Sequence, residues 1–496
     1  MLVIRVDKER LEYDIRAIVT SFYPEEDVRI ELAGSLHGNE SDEGESSDRV
    51  MEIRVCEDPA TLSFNGKTYC FRRGFLQAKD RSFSGEEKDD FKEFLYLTLC
   101  EHTKTTLPWG NLTGIRPTKI AMGMIEEGKS DEEILSFLEK RHFVSEKKRK
   151  LCVDIAHREA AVLSPLHKTD GYSLYIGIPF CPSRCLYCSF TSNPIAAFSD
   201  AVEPYVDCLI REMRQVAEVY RDKILDTVYV GGGTPTALSG AQLDRLLTAL
   251  YAIFPMEQCR ELTVEAGRAD SITREKLEVL KRHGVTRISV NPQTMHDSTL
   301  EFIGRKHTTA DVYRAYREAC DVGFDNINMD IILGLPGEGE QEVKETIEAI
   351  REFSPASLTV HSLAVKRASR LREWIEKNGR SLIRNTDACM EVARAGAESM
   401  GLKPYYLYRQ KNMSGNFENV GYAAEGKYGI YNILIMEEIQ PIMALGAGSV
   451  SKAVLPDGRI ERTDNVKDVR MYIDKIDEML KRKEVLFDLQ REQGWL

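Results

Sequence analysis

Apolar positions along the chain follow two rhythms, and the change between them falls near residue 170. From there on, short β-branched runs recur at 173–178, 227–231, 262–265, 286–291, 327–333 and 357–362, the pattern of strands buried on both faces. Each consecutive pair is separated by enough chain for a helix. In one such segment Val206, Leu209, Ile210, Met213, Val216, Ala217 and Tyr220 share one face at the 3.6-residue period. Gly284, Gly323 and Gly401 each follow a helical pattern and precede an apolar run, where a left-handed cap ends a helix. The prediction is an α/β fold whose six strands, joined by right-handed crossovers, form a parallel sheet curled into a partial or complete barrel. Sites in such folds lie at the carboxyl ends of the strands.

Residues 1–170 have a mixed α+β pattern: strands near 50–55 and 68–72, and helices near 91–100, 131–140 and 146–163. Segment 37–49 is acidic, Ser-rich and nearly free of apolar side chains, and predicts a solvated loop. Segment 107–119, with Trp109, Arg116 and Lys119 among turn residues, reads as an ordered linker around a packed Trp, with a binding loop as the alternative. Beyond residue 400 the alternation weakens into a Tyr- and Gly-rich stretch (404–422), a glycine cluster (445–451) and an amphipathic helix expected over 466–483. The expected organisation is an N-terminal α+β domain (1–170), a barrel core (171–400) and a C-terminal region covering the barrel mouth (401–496).

Composition narrows the function classes. At 496 residues, the chain has room for two or three domains. A net charge of -12 argues against non-specific nucleic-acid or anionic-membrane binding. No apolar run approaches the ~18 residues of a membrane span. The first seven residues read as a strand followed by charge, not as a secretory signal, so a cytoplasmic location is expected. Eleven cysteines, an odd number spread over a long chain, suit reduced thiols or metal ligands better than a disulfide framework.

Three of them form Cys181-Pro-Ser-Arg-Cys185-Leu-Tyr-Cys188, immediately after the first barrel strand. Three thiolates on one tight loop suit a 4Fe-4S cluster that keeps one iron open to a chelating ligand. Structural zinc wants four protein ligands, and none follows nearby; zinc completed by a distant Cys208 or His167 is the competing reading. A second motif, Gly231-Gly-Gly-Thr-Pro-Thr236, closes the second strand, where glycines let a ligand approach the main chain.

A CxxxCxxC loop after the first strand of a β/α barrel resembles the radical S-adenosylmethionine (SAM) enzymes. In that family the SAM amino and carboxylate groups chelate the open iron, and reductive cleavage yields a 5'-deoxyadenosyl radical. Together with Tyr175-Ile-Gly-Ile-Pro-Phe-Cys181, residues 261–265, Gln293, Gly304-Arg-Lys-His-Thr308 and 330–336, the motifs resemble the oxygen-independent coproporphyrinogen III oxidase (coproporphyrinogen dehydrogenase) group, which includes haem chaperones. The resemblance is close over 171–365 and loose over 400–455. It implies Cys181, Cys185 and Cys188 as cluster ligands, and Tyr175, Tyr187, Gly232 and Gly233 beside cluster and SAM. It further implies Glu265 on the SAM ribose hydroxyls, and Thr234, Gln293, Arg305, Asp330 and Ala364 at the contacts of a second SAM. The implied substrate is a tetrapyrrole, coproporphyrinogen III, and the implied electron donor a protein such as flavodoxin or ferredoxin.

Three positions depart from the family pattern. Phe190 stands where the oxidase has a further Cys and the chaperones also have Phe; Gly177 replaces a His; and Ala266-Gly-Arg268 replaces Asn-Pro or Asp-Pro. The implied activity is decarboxylation of two propionates to vinyl groups; the rivals are a haem-transfer protein and a radical enzyme acting on another tetrapyrrole. Lys366, Arg367, Arg370, Arg409 and Lys411 are cations able to clamp propionates or simply to face solvent.

Overall fold

The computed structural model describes residues 1–7, 9–24, 26–32, 49–55, 60–71, 85–114, 116–366, 369–379, 382–410 and 417–496. The acidic segment 37–48 and the cations Arg367 and Lys411 lie outside the described residues. The chain divides into two compact units, one of Met1–Asp154 with Arg409–Phe417, the other of Ile155–Tyr408 with Glu418–Leu496.

In the first unit, strand Leu2–Val6 lies between parallel neighbours Val28–Leu32 and Arg49–Arg54, and the sheet continues antiparallel through Ala60–Phe64 and Lys67–Phe71. Alternation sets its inner face: Leu2, Ile4, Val6, Met51, Ile53, Leu62 and Phe64 join Ile15, Ile18 and Val19 of helix Glu12–Phe22 and Phe91, Leu95 and Leu99 of helix Gly85–Thr103 in one core. Trp109 is fully buried beside it in sequence, and Arg409, itself buried, holds its guanidinium 5.8 Å from that ring while donating to the Leu112 carbonyl at 2.6 Å. Arg409 therefore serves packing in this unit and does not face solvent.

The second unit carries the repeating strands as Gly171–Ile178, Ile224–Gly232, Glu261–Gly267, Arg287–Val290, Ile327–Leu333 and Ser357–Ser362, all parallel and adjacent in sequence order. Each is within a few residues of its expected bounds, because a parallel strand between two helical layers must be apolar along its whole length. Helices Val202–Val219, Gly240–Ile253, Arg274–Arg282, Thr309–Asp321 and Glu340–Phe353 fill the crossovers. Several start on side-chain caps: Ser239 with Gln242, and Thr308 with Asp311, form reciprocal capping boxes. The expected glycine stops all have positive φ, +67° at Gly284, +99° at Gly323 and +75° at Gly401.

The C-terminal strands lengthen this sheet at both edges. Asn419–Ala423 and Lys403–Tyr408 add antiparallel beyond the sixth strand. Ile442–Leu445 pairs parallel with the first, followed by Val450–Val454 and Ile460–Asp464. The helix expected over 466–483 is two helices, Val469–Asp474 and Ile476–Glu492: Asp468 caps the first, and Lys475, with φ -112° and ψ 26°, leaves helical geometry between them. No helix among the described residues is long and apolar enough to cross a membrane.

Glu212, fully buried on the first crossover helix, ties this region to the core. Its carboxylate accepts from Gly446 N at 2.7 Å, Asn465 Nδ2 at 2.9 Å, Tyr472 Oη and the buried Lys483 Nζ. Removing one partner of a buried ion pair strands the other charge. Lys483→Met is expected to cost about 3–5 kcal/mol of unfolding free energy, read by denaturant titration of the full chain; a loss below about 1 kcal/mol would assign the hold to the neutral donors instead.

Candidate functional site

The carboxyl ends of the first two strands meet through their backbones. Gly233 N donates to the Ile178 carbonyl and Thr234 N to the Phe180 carbonyl, both at 2.7 Å. A Cβ on Gly233 would lie 2.6 Å and 2.7 Å from the Phe180 and Ile178 carbonyls and 3.1 Å from Cys181 Sγ. Gly232 adopts φ +103°, which L side chains avoid, and a Cβ there would meet the Tyr175 hydroxyl at 2.9 Å. The glycine motif is thus a cradle that holds the cysteine loop against the second strand.

Other contacts clamp the loop. Asn193 N closes it onto the Pro179 carbonyl at 2.8 Å, Leu186 N donates to Ile303 O at 2.8 Å, Ser183 Oγ to Gly304 O at 2.9 Å, and Arg370 to the Arg184 carbonyl. Cys181 and Cys185 are buried and Cys188 half-buried. Thr234 Oγ1 donates to Cys181 Sγ at 3.3 Å, and Cys188 Sγ lies 3.7 Å from Ser192 Oγ. Burial pushes the Cys181 thiol up to about 11, against the Thr234 hydrogen bond, and the neighbouring Cys188 and Cys185 add to the rise.

The three thiols are therefore electrostatic neighbours, yet among the described residues no three His, Cys, Asp or Glu converge closely enough to hold a single metal ion. Three soft thiol ligands on one loop have the donor chemistry of an iron-sulfur cluster. The distant residues that would complete zinc are engaged elsewhere: His167 Nδ1 lies 2.8 Å from Asp226 Oδ1 near the amino ends of the strands, and Cys208, on the first crossover helix, faces the Ile473 carbonyl at 4.0 Å.

The remaining expected residues lie on the strands, from their middle onward, or on the loops that follow them. Tyr175 stacks with Tyr229 and Tyr431, ring centres 6.3 Å away in both cases, and Tyr229 and Tyr431 stack at 4.5 Å. The Tyr229 hydroxyl donates to Glu265. Loss of solvation pushes the Glu265 carboxyl up to about 7 in spite of that bond, and Asp330 adds to the rise. Desolvation also works to raise Asp330, but His361, 3.8 Å away, and the 2.7 Å bond from Asn328 outweigh it and hold the group below the ordinary range. Gln293, with φ +71°, bridges to the fifth strand, its N donating to Asp330 O at 2.9 Å and its O accepting from Ile332 N at 2.9 Å. Arg305 reaches from the next loop to the Asn291 carbonyl at 2.6 Å and the Tyr187 hydroxyl at 3.2 Å. Ala364 lies two residues past the sixth strand, half-buried. Asn291 Oδ1 and Arg305 Nε are buried without hydrogen-bond partners, orphaned polar atoms of the kind a bound ligand would satisfy.

Two members of the tyrosine stack were not anticipated. Tyr229 has a visible signal, being two residues before Gly231 and so on the same strand face; Tyr431 arrives from the C-terminal region and has none. Of the departures, Phe190 is 69% exposed just past the loop. A side chain at Gly177 would begin 3.1 Å from the Leu445 carbonyl, so the edge strand takes space a histidine would need. Arg268 turns back onto the cysteine loop.

Residues 175–350 match the family model of the radical SAM superfamily. The whole chain is 37% identical to the oxygen-independent coproporphyrinogen-III oxidase-like protein HemZ of Bacillus subtilis, over 98% of both chains. The chain belongs to the radical SAM superfamily, in its coproporphyrinogen III oxidase-like group. It is also 32% identical to the heme chaperone HemW of Bacillus subtilis, over 62% of this chain and 76% of the relative. Among solved structures, the coproporphyrinogen III oxidase HemN of Escherichia coli aligns with a TM-score of 0.49 at 20% identity, over 65% of this chain and 72% of the other. Membership in this superfamily brings a 4Fe-4S cluster and S-adenosylmethionine as cofactors.

Gly233→Ala tests the cradle. Forcing a methyl between two fixed carbonyls is expected to cost about 1–3 kcal/mol in denaturant unfolding, and an unchanged midpoint would show that the two loops part without strain.

Proposed function

We propose that the protein is an oxygen-independent enzyme of tetrapyrrole synthesis that converts two propionate side chains of coproporphyrinogen III to vinyl groups, giving protoporphyrinogen IX. The observation that carries this reading is the length of the likeness. Identity with the oxidase-like relative runs through the N-terminal unit as well as the barrel, whereas the chaperone likeness covers 62% of the chain. In the reaction each propionate gives up carbon dioxide, a β-hydrogen atom and one electron.

The residues have distinct tasks in this proposal. Cys181, Cys185 and Cys188 hold the cluster, on the loop that Gly233 and Thr234 fix to the second strand. Together, bound cluster and SAM supply one-electron cleavage of a sulfonium and a carbon radical able to take hydrogen from an unactivated carbon. Tyr175 and Tyr187 border that site with Gly232 and Gly233, excluding water from it. Glu265 accepts the ribose hydroxyls, and Thr234, Gln293, Arg305, Asp330 and Ala364 form the contacts of a second SAM. A flavodoxin or ferredoxin delivers the electron.

A haem-carrier role is the second reading, favoured by Phe190, a large aromatic side chain 69% exposed two residues past the last cysteine. One anaerobic experiment separates the two. Incubated with coproporphyrinogen III, SAM and a reductant, the reconstituted protein is expected to release carbon dioxide and 5'-deoxyadenosine in step, and Cys185→Ala to release neither. Stoichiometric haem binding with no release from an intact cluster would replace the enzyme with the carrier.

Glu265 gives a pH signature. With its carboxyl pushed up to about 7, the group is largely protonated below that pH and offers ribose fewer acceptor sites. SAM affinity is therefore expected to rise as pH increases through about 7, and Glu265→Gln to flatten the profile at the weaker level. Calorimetric titration between pH 6 and 8 reads both (roughly one unit either side of the transition); a parallel rise in the Gln variant would place the titrating group elsewhere.

A further inference from the structure

The third barrel strand ends in an irregularity. Its register with the fourth shifts between Val264 and Gly267, and Gly267 has φ +65°. A bulge of this kind re-aims the next side chain, and here that side chain is Arg268, 3% exposed. Its guanidinium is fully directed. Nε and Nη2 form a two-point pair with Asp270, at 2.9 Å and 2.6 Å, while Nη1 donates to Ser183 O and Oγ, both at 2.9 Å, and lies 3.8 Å from Cys185 Sγ. The neighbouring cation, Arg305, places hydrogen bonds on Asn291 O and Tyr187, whereas Arg268 directs an N–H at a cysteine sulfur.

We propose that Arg268 sets the reduction potential of the cluster, with its charge and N–H dipole applied at the Cys185 sulfur and moderated by Asp270. The inference rests on the three cysteines holding a 4Fe-4S cluster. Each electron added to a thiolate-bound cluster adds negative charge, and hydrogen bonds to the sulfurs and nearby net charge are among the determinants of its potential. A buried cation at a ligand sulfur stabilises the reduced form more than the oxidised one, because the screening that weakens surface charges is absent. Asp270 holds the fork in place and opposes its charge. Desolvation alone would raise the Asp270 carboxyl, but His307 and Arg268 overcome it and keep the group well below the ordinary carboxylate range.

Arg268 and Asp270 therefore push the potential in opposite directions, which a purely structural role would not do. The test is an EPR-monitored redox titration of the anaerobically reconstituted full chain without SAM. Arg268→Gln is expected to weaken reduction about tenfold, a fall of about 59 mV for one electron. Asp270→Asn, which keeps the cation and removes its counter-charge, is expected to raise the potential. Equal potentials in wild type and both variants, or shifts of the same sign, would overturn the proposal. If Arg268→Gln assembles no cluster, the sign of the Asp270→Asn shift decides. A wild-type chain that assembles no cluster would instead sink the reading of the cysteines on which the inference rests.

Discussion

The site depends on one close approach of main chain to main chain. Where the cysteine loop leaves the first strand, two carbonyls take hydrogen bonds from the glycine turn of the second, at a distance that leaves no room for a Cβ at Gly233. That contact converts a sequence-local cysteine motif into a fixed platform. The loop carries no secondary structure of its own between Cys181 and Ser192, so its shape is imposed by neighbours: the glycine turn on one side, Ile303 and Gly304 on the other. Rigid strands thereby position thiols that the loop alone would leave free to wander.

A second tie runs from the back of the sheet. Tyr205, buried on the same helix as Glu212, donates to the Gly177 carbonyl at 2.7 Å and accepts from Ala447 N at 2.9 Å. With Glu212 holding Gly446 and Lys483, the turn at 446–448 is locked against the end of the first strand by residues from three separate parts of the chain. The edge strand Ile442–Leu445 lies beside the first strand for this reason as much as for its own backbone pairing.

The readable parts of the sequence were those governed by local rules. Buried parallel strands must be continuous apolar runs, helix ends need caps, and three cysteines at fixed spacing resist any bland explanation; each of these needs only a short window. What escaped was decided by contacts distant in sequence. Nothing near residue 442 announces that it pairs with Ser173, nothing near Tyr431 shows that its ring completes a stack with Tyr175 and Tyr229, and Arg409 looks like a surface cation until Trp109 is placed under it. The single helix expected over 466–483 followed an unbroken amphipathic period, but periodicity carries no information about Lys475 leaving helical φ and ψ.

Arg268 shows how a departure from a family pattern acquires meaning from its place in the fold. Read in sequence, it only weakened the analogy. In the fold, the bulge at Gly267 turns it from a strand-end residue into a buried donor on the cysteine loop. The same end of the sheet holds two carboxyls with opposed fates: Glu265, with a desolvated carboxyl pushed up to about 7, and Asp330, kept ionised by His361 and Asn328. Opposed shifts of this kind divide labour between otherwise equivalent groups. At neutral pH, Asp330 supplies a fixed negative charge, whereas Glu265 changes charge with small changes in its surroundings. The charge of the sheet's open end therefore combines the buried cations Arg268 and Arg305, the anions Asp270 and Asp330 and the titrating acid Glu265, and a cationic ligand entering there would itself favour the ionised form of Glu265.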